Sequence, residues 1–374
     1  MNIAYVANIR FPTEKAHGVQ IAKACEALVK NGKEVTLIVP SRRTDITEPA
    51  PRYYGITTPF AIKKLFTIDL VSAGKIGFWI QSLTFASSVL RYLRSCRADA
   101  VYGRDELVLS ILYMGGVRNI FWESHDGAWN IASRYIAKHA KGVVCVSQGL
   151  KDFYKEKGVP IEKILAVPNG IALADFAHPE SKEIARVRLG IPVDKKIALY
   201  VGRLDGWKGT DTLFDASHVL PSDWKVAVVG GEEKQIAQLQ KKYPYVLFLG
   251  YRPYSELPRN QAAADVLVVP NTAKVDVSVH FTSPLKLIAH MASHRPIVAS
   301  DLPSIRELVD ESSAVLVVPD NSQALAEGIQ RALQNPTVAE HAFARVSTLD
   351  WQVRAQAILR FIENRVGAHA TAGR

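Results

Sequence analysis

Cysteine is scarce: the 374 residues hold three, Cys25, Cys96 and Cys145. An odd number, widely separated and in no metal-ligand spacing, argues against a disulfide framework and fits a reducing compartment. No apolar run reaches about 18 residues, so no membrane-spanning helix is expected. No basic leader with a cleavage site precedes the first apparent strand, so no signal peptide is read. The chain has no Asp-x-Asp pair of the sort that binds a divalent ion. It has no Gly-x-Gly-x-x-Gly in its first strand-to-helix loop, which argues against a dinucleotide dehydrogenase. Internal repeats and low-complexity tracts are also lacking. The expectation is a cytoplasmic protein with no bound metal and no resident cofactor.

What is present is the composition of a globular protein, 48% hydrophobic and 22% charged. The length exceeds one ordinary core and implies two domains. The net charge is +10. Residues 1–180 carry 23 Lys+Arg against 16 Asp+Glu, or +7, and the remainder 23 against 20, or +3. Such an excess suits nucleic acid, an anionic membrane face or a phosphorylated substrate. No nucleic-acid motif is visible, so no nucleic-acid partner is expected.

Strand and helix patterns alternate through the first half. Strands are expected at Ile3–Ala7, Glu34–Val39, Ala100–Tyr102, Asn119–Trp122, Val143–Val146 and Lys163–Val167, with helices such as Val19–Lys30 and Gln148–Lys157 between them. The alternation restarts at Lys196–Val201 and continues at Lys225–Val229, Val246–Leu249, Val266–Val269, Pro296–Ala299 and Ala314–Val318. This pattern implies two α/β, Rossmann-like domains with parallel sheets, at 1–177 and 195–346, followed by a helix and tail at 347–374. Ligands of such sheets sit beyond the carboxyl ends of the strands. The tail Gly367–Arg374 is small and polar and is expected to fray.

The segment Phe60–Leu93 mixes Lys63, Lys64 and Lys75 with Phe66, Ile76, Phe78, Trp79 and Phe85. One reading is a basic-aromatic surface resting on an anionic membrane. The preferred reading is a core helix with a solvated basic end, because aromatics at helical spacing are usually core.

The chemistry-bearing text begins at Thr282-Ser-Pro-Leu-Lys-Leu-Ile-Ala-His-Met-Ala292. Ser283 reads as an N-cap and Pro284 as the first helical residue. Lys286 lies in the first turn, beside uncommitted N–H groups that favour an anion. Val201-Gly-Arg-Leu-Asp-Gly-Trp-Lys-Gly-Thr210 follows a strand and precedes a helix. Gly202 and Gly209 permit tight turns, and Arg203 and Lys208 suit a diphosphate. Phe121-Trp-Glu-Ser-His-Asp126 and Tyr102-Gly-Arg-Asp105 end two strands of the first half and offer Glu123, His125 and Arg104. Pro12-Thr-Glu-Lys-Ala-His-Gly-Val19 opens the first helix, where Gly18 would let backbone approach a ligand and Lys15 and His17 either bind or are solvated. Val167-Pro-Asn-Gly-Ile171 is a turn.

Taken in order, these motifs resemble the family 4 glycosyltransferases, in the subgroup with a Ser-Pro-Leu-Lys-Leu donor-site helix, from about residue 1 to 360. The resemblance implies a GT-B fold, two domains facing across a cleft with the last helix, Trp351 to Val366, crossing back to the first. It implies a metal-independent, retaining hexosyltransferase with a front-face mechanism, using a UDP- or GDP-linked sugar and a glycan or lipid-linked glycan acceptor. Arg203 and Lys208 then hold the donor diphosphate and His125 contacts the sugar near the reaction centre. Gly18, Gly202, Ser283, Pro284, Leu285 and Lys286 complete the donor site, with Tyr251 and Arg252 where the base packs. His17, Arg104 and Glu123 fall on the acceptor or sugar side. Bacterial surface polysaccharide synthesis at the inner membrane face is the implied setting.

Two positions depart from the family pattern. Its paired carboxylates fall on Phe281 and Ala289, and the second is the ribose-binding Glu. Ala289 favours an alternative reading, a GT-B protein that binds or scaffolds without catalysis; Arg203, Lys208 and His125 favour transfer. A nucleotide-sugar epimerase would need acidic groups at the sugar that the sequence does not supply.

Overall fold

The computed structural model describes residues 1–367. The expected frayed tail lies, beyond Gly367, outside the described residues. Two compact units divide the chain: Met1–Pro168 together with the helix Trp351–Gly367, and Asn169–Asp350.

The first unit is built on β1 (Asn2–Val6), β2 (Glu34–Pro40), β3 (Ala61–Leu65), β4 (Ala100–Gly103), β5 (Ile120–Ser124), β6 (Gly142–Cys145) and β7 (Ile164–Ala166). All neighbours pair in parallel, in the order β3-β2-β1-β4-β5-β6-β7. The central strands are largely apolar because helices cover both faces; Ile3, Tyr5, Val6, Leu37, Ile120 and Phe121 are all buried. The order reverses between β1 and β4, where successive connections leave in opposite directions and open a crevice at the strand ends. His17 follows β1 and Arg104 follows β4, so both lie at that reversal. The closing helix Trp351–Gly367 packs on the helix Ala16–Lys30 and on β6, and it buries Trp351, Ala355, Ile358, Leu359 and Ile362.

The second unit repeats the plan with β8 (Lys196–Val201), β9 (Trp224–Val229), β10 (Leu247–Phe248), β11 (Val266–Val269), β12 (Ile297–Ser300) and β13 (Val315–Val317), ordered β10-β9-β8-β11-β12-β13. Its reversal falls between β8 and β11. The loop carrying Arg203 and Lys208 follows β8.

Three features differ from the sequence reading. The edge strand β3 was not expected, because Lys63 and Lys64 interrupt its apolar pattern; lysines on an edge strand are a common guard against sheet-to-sheet pairing. Phe60–Leu93 is only in part a core helix. In the helix Gly74–Ser95, Phe85, Ala86 and Val89 are buried, but Phe66, Ile76, Phe78 and Trp79 are exposed. Finally, Ser283 does not cap the following helix. That helix is Leu285–Met291, with Pro284 at its N-cap and no side-chain cap. The Ser283 hydroxyl instead accepts a 3.0 Å bond from the Asn169 N–H, and the Asn169 amide donates back to the Ser283 carbonyl at 2.8 Å.

Candidate active site

In the first unit the sequence motifs converge on one carboxylate. Glu123, at the end of β5, is 1% exposed. Arg104 places Nη2 2.8 Å from its Oε1, and Arg354 of the closing helix places Nη2 3.2 Å from its Oε2. The Tyr102 hydroxyl donates to Oε2, and His125 Nε2 lies 2.6 Å from Oε1. Burial alone would raise the Glu123 pKa; Arg104 and then Arg354 outweigh it and hold the group ionised, well below the usual range. Burial and the Arg104 charge push His125 down to about 4, so it is neutral at pH 7. A neutral imidazole facing an ionised carboxylate donates from Nε2, which leaves Nδ1 as its acceptor.

This arrangement corrects the reading of Glu123 as a ligand-facing group: it is an internal counter-ion that orients His125. Arg104 is likewise committed inward, donating to Tyr5 Oη at 3.2 Å and to Gln20 Oε1 at 2.6 Å. Burial, with Arg104 and Lys15 adding to it, lowers His17 to about 4, which makes it a second neutral imidazole at the same reversal. Gly18 gives its N–H to the Lys15 carbonyl at 2.9 Å. It lies inside the helix Ala16–Lys30, and a Cβ there would fall 2.3 Å from the Tyr54 hydroxyl. Glycine is needed because Tyr54 fills that space.

In the second unit the cations gather where the sheet reverses. Gly202 has φ 148°, and Gly209 has φ 67° with Pro270 O at 1.8 Å from any added Cβ. The β8 loop therefore packs directly on the β11 loop, a contact only glycine permits. Lys208 Nζ sits 3.2 Å from the Trp207 ring centroid, and Lys286 Nζ sits 4.4 Å from that of Tyr200, donating to its hydroxyl at 3.3 Å. Burial lowers Lys208 to about 8, with the Arg203 charge adding to the effect. Burial, then the Lys208 charge, drives Lys286 well below its ordinary value. Among the described residues no carboxylate pairs directly with either ammonium. Two partly desolvated lysines that repel one another favour a bound anion. Arg203 is more exposed and rests 3.2 Å from Asp205.

Pro284 and Leu285 stand at the start of the Lys286 helix. Ala289 is fully buried in an apolar cluster with Val269, Leu287 and Ile288. His290 is also buried, its Nδ1 2.9 Å from Gln261 Nε2. Tyr251 and Arg252 follow β10 at the sheet edge, two strands or roughly 10 Å from β8, and both are exposed.

The sequence reading missed Arg354, Tyr102, Tyr200, Trp207 and Asn271. Arg354 had a signal: it occupies the buried face shared by Trp351, Ala355 and Ile358, where a charge needs a partner. Asn271, two residues after β11, is fully buried, and neither amide atom has a hydrogen-bond partner among the described residues.

Residues 17–175 match the model of Glycosyltransferase Family 4, and residues 195–335 match that of Glycosyl transferases group 1. The chain carries both glycosyltransferase domains. The "Putative teichuronic acid biosynthesis glycosyltransferase TuaC" of Bacillus subtilis (strain 168) is 29% identical over 255 residues, 67% of this chain and 62% of that one. A D-inositol 3-phosphate glycosyltransferase of Kineococcus radiotolerans is 26% identical over 239 residues, 56% of this chain and 53% of that one. The chain thus spans between half and two thirds of the length of these curated relatives. Among solved structures, sucrose-phosphate synthase from Thermosynechococcus elongatus superposes with TM-score 0.79 at 21% identity, covering 98% of this chain and 99% of that one. Anabaena HepE in complex with UDP-glucose superposes with TM-score 0.75 at 19% identity, covering 97% and 100%. The fold of these glycosyltransferase domains is GT-B, with two Rossmann-like parallel sheets.

Proposed function

We propose that the protein is a retaining, metal-independent hexosyltransferase that draws on a UDP- or GDP-linked sugar and delivers it to a glycan or lipid-linked glycan in bacterial surface polysaccharide synthesis, at the cytoplasmic face of the membrane. The observation that carries this reading is the Lys208–Lys286 pair at the β8/β11 reversal, where a diphosphate supplies the missing negative charge. The glycosyltransferase domain matches and the kinship to polysaccharide-synthesis relatives support it.

In the reaction the bond from the sugar's anomeric carbon to the donor phosphate breaks. The acceptor oxygen bonds to that carbon, and its proton passes to the departing phosphate. Negative charge grows on the leaving diphosphate, and fixed cations stabilise it without reorganising. Arg203, Lys208 and Lys286 fill that role. In the first unit, His125 presents a neutral acceptor whose orientation Glu123 fixes; we assign it to the sugar and acceptor side.

Titration of the purified protein with UDP and GDP in the presence of EDTA tests the donor site. Micromolar binding of one nucleotide, lost in Lys208→Gln, is the expected result. A second reading rests on Ala289, which supplies no carboxylate to a ribose. A protein that binds nucleotide but neither hydrolyses nor transfers any donor sugar would be a binding subunit. Absence of binding at millimolar nucleotide would reject the donor site itself.

A further inference from the structure

Beside the Lys208 loop the second unit opens a cavity of about 180 Å³. Three chain segments wall it: the loop and helix start after β8, the loop after β11, and the residues after β13. Its chemistry-bearing side chains are Trp207, Asp211, Thr212, Thr272, Lys274 and Asp320. The Trp207 indole carries Lys208 on one side, 3.2 Å from the ring centroid, and borders the cavity on another; Lys208 itself does not line it. Asp320 adopts φ 57°, a left-handed conformation few residues other than glycine take up. It is held there by the Thr272 hydroxyl, which donates to Oδ1 at 2.6 Å, and by the Ala273 N–H, which donates to Oδ2 at 2.9 Å. Those two bonds fix its carboxylate and use only half of its acceptor capacity. The Asp211 carboxylate, the Thr212 hydroxyl and the Lys274 ammonium have no hydrogen bond or close ion pair among the described residues. Oriented polar groups around an aromatic wall are the makings of a small-molecule site.

The lining identifies the class of occupant. Two carboxylates against one ammonium exclude a second phosphate site. A nucleobase stacks on an indole, but it presents its hydrogen-bonding groups in one plane, whereas here they come from three segments around the cavity. A pyranose has both properties the wall asks for. Its C–H face is apolar and packs on an aromatic ring, and its hydroxyls project around the rim as donors and acceptors.

We propose that this cavity is a second saccharide site, separate from the donor's, in which a neutral or amino pyranose lies against Trp207 and gives its hydroxyl protons to Asp211 and Asp320. A sugar unit of a glycan held there keeps the chain on the protein between transfers. That use rests on the glycan acceptor proposed above; the saccharide site itself does not, because Asp211, Thr212, Lys274 and Asp320 lie outside the Lys208–Lys286 pair.

Saturation-transfer NMR and calorimetry of the full-length, nucleotide-free protein with glucose, glucosamine, glucuronate and maltotriose test it. Glucose and maltotriose should bind, glucosamine at least as tightly, and glucuronate most weakly, because the lining is more acidic than basic. Asp211→Asn should weaken glucose about tenfold, the loss of a charge-assisted hydrogen bond, and should remove the preference for glucosamine over glucuronate. Thr212→Val, which keeps the shape, should weaken glucose by a smaller factor. Circular dichroism and UDP binding should be unchanged in both variants, and these controls separate failure of this site from failure of the donor site. No saturation transfer to any of these sugars, or equal binding by the natural protein and Asp211→Asn, would overturn the proposal. So would an Asp211→Asn protein that binds free sugars as before but loses affinity for UDP-glucose relative to UDP, since the cavity would then be the donor's own sugar pocket.

Discussion

Arg354, on the helix that closes the described chain, lies 3.2 Å from Glu123 at the end of β5, and the two are among the most deeply buried charges of the first unit. Glu123 in turn holds His125. The last helix thus acts on a histidine more than two hundred residues earlier, through one carboxylate.

Replacing Arg354 with Met should cost about 1–3 kcal/mol of stability. Removing one partner of a buried pair usually costs more, but Arg104 still pairs Glu123, and the Arg354 nitrogens, which have no hydrogen-bond partner among the described residues, would no longer be buried. The same change should raise the His125 pKa from about 4, because a cation that disfavours the imidazolium is removed and Glu123 is less neutralised. Urea unfolding gives the first quantity and an NMR titration of the histidine ring the second. Arg354→Lys should restore much of both. A His125 titration identical in all three proteins would uncouple the helix from the histidine.

Nucleotide affinity should fall as pH rises above about 8. Below that value Lys208 is charged with or without ligand. A bound diphosphate favours the charged form and raises the folded pKa, so between about 8 and the higher pKa of the complex binding must take up a proton, and affinity drops. Lys286, which burial and the Lys208 charge also hold well below its ordinary value, adds to that uptake. In the unliganded protein the linkage to folding has the opposite sense. A lysine whose folded pKa lies below its unfolded value destabilises the fold while charged, and the penalty is relieved as pH rises from about 8 toward the unfolded pKa. Titrations in buffers of different ionisation enthalpy count the protons. Zero uptake across pH 7–9 would mean the diphosphate is bound elsewhere.

Both sheets were readable in the sequence because doubly covered parallel strands are short, nearly continuous apolar runs bounded by turn residues. β3 was not, since an edge strand tolerates lysines that a central strand would not. The loop motifs at 202–209 and 123–125 were visible as residue types at strand ends, but burial assigned their roles. Periodicity cannot tell a carboxylate that meets a ligand from one that two arginines enclose. The exposed apolar stripe of Ile76, Trp79 and Leu83 has the same spacing as a buried one, and only its neighbours decide which it is.

Gly18→Ala should destabilise the first unit by about 1–3 kcal/mol, the cost of overpacking a filled site. Its new methyl would press on the Tyr54 hydroxyl, which both accepts from the Thr13 N–H and donates to the Thr13 carbonyl. Tyr54→Phe removes the obstructing oxygen and should recover part of the loss in the double variant, seen as non-additivity in a thermal or urea cycle. Nucleotide affinity should stay unchanged, since glycine there answers to Tyr54. A weakened affinity in a folded Gly18→Ala protein would return the residue to the donor site.

Ala289→Glu is the most direct test of the position that departs from the family pattern. Ala289 is fully buried, so a larger side chain costs about 1–3 kcal/mol in packing. It also lies three residues after Lys286, on the same helix face, where a carboxylate meets an ammonium with no paired carboxylate among the described residues. A carboxylate accepting one ribose hydroxyl contributes about 1.5–3 kcal/mol, so the variant should bind UDP or GDP roughly tenfold to a hundredfold more tightly while being less stable. The pH dependence should shift with it. The new negative charge raises the Lys286 pKa in the unliganded protein, and binding then takes up fewer protons. Calorimetry reads both effects in one series. Tighter binding with reduced proton uptake would show that the helix Leu285–Met291 meets the ribose and that the natural chain works with a weakened grip on its donor. Unchanged affinity with reduced uptake would show that the glutamate pairs with Lys286 but that the ribose lies beyond its reach, and the binding-subunit reading would then gain the stronger support.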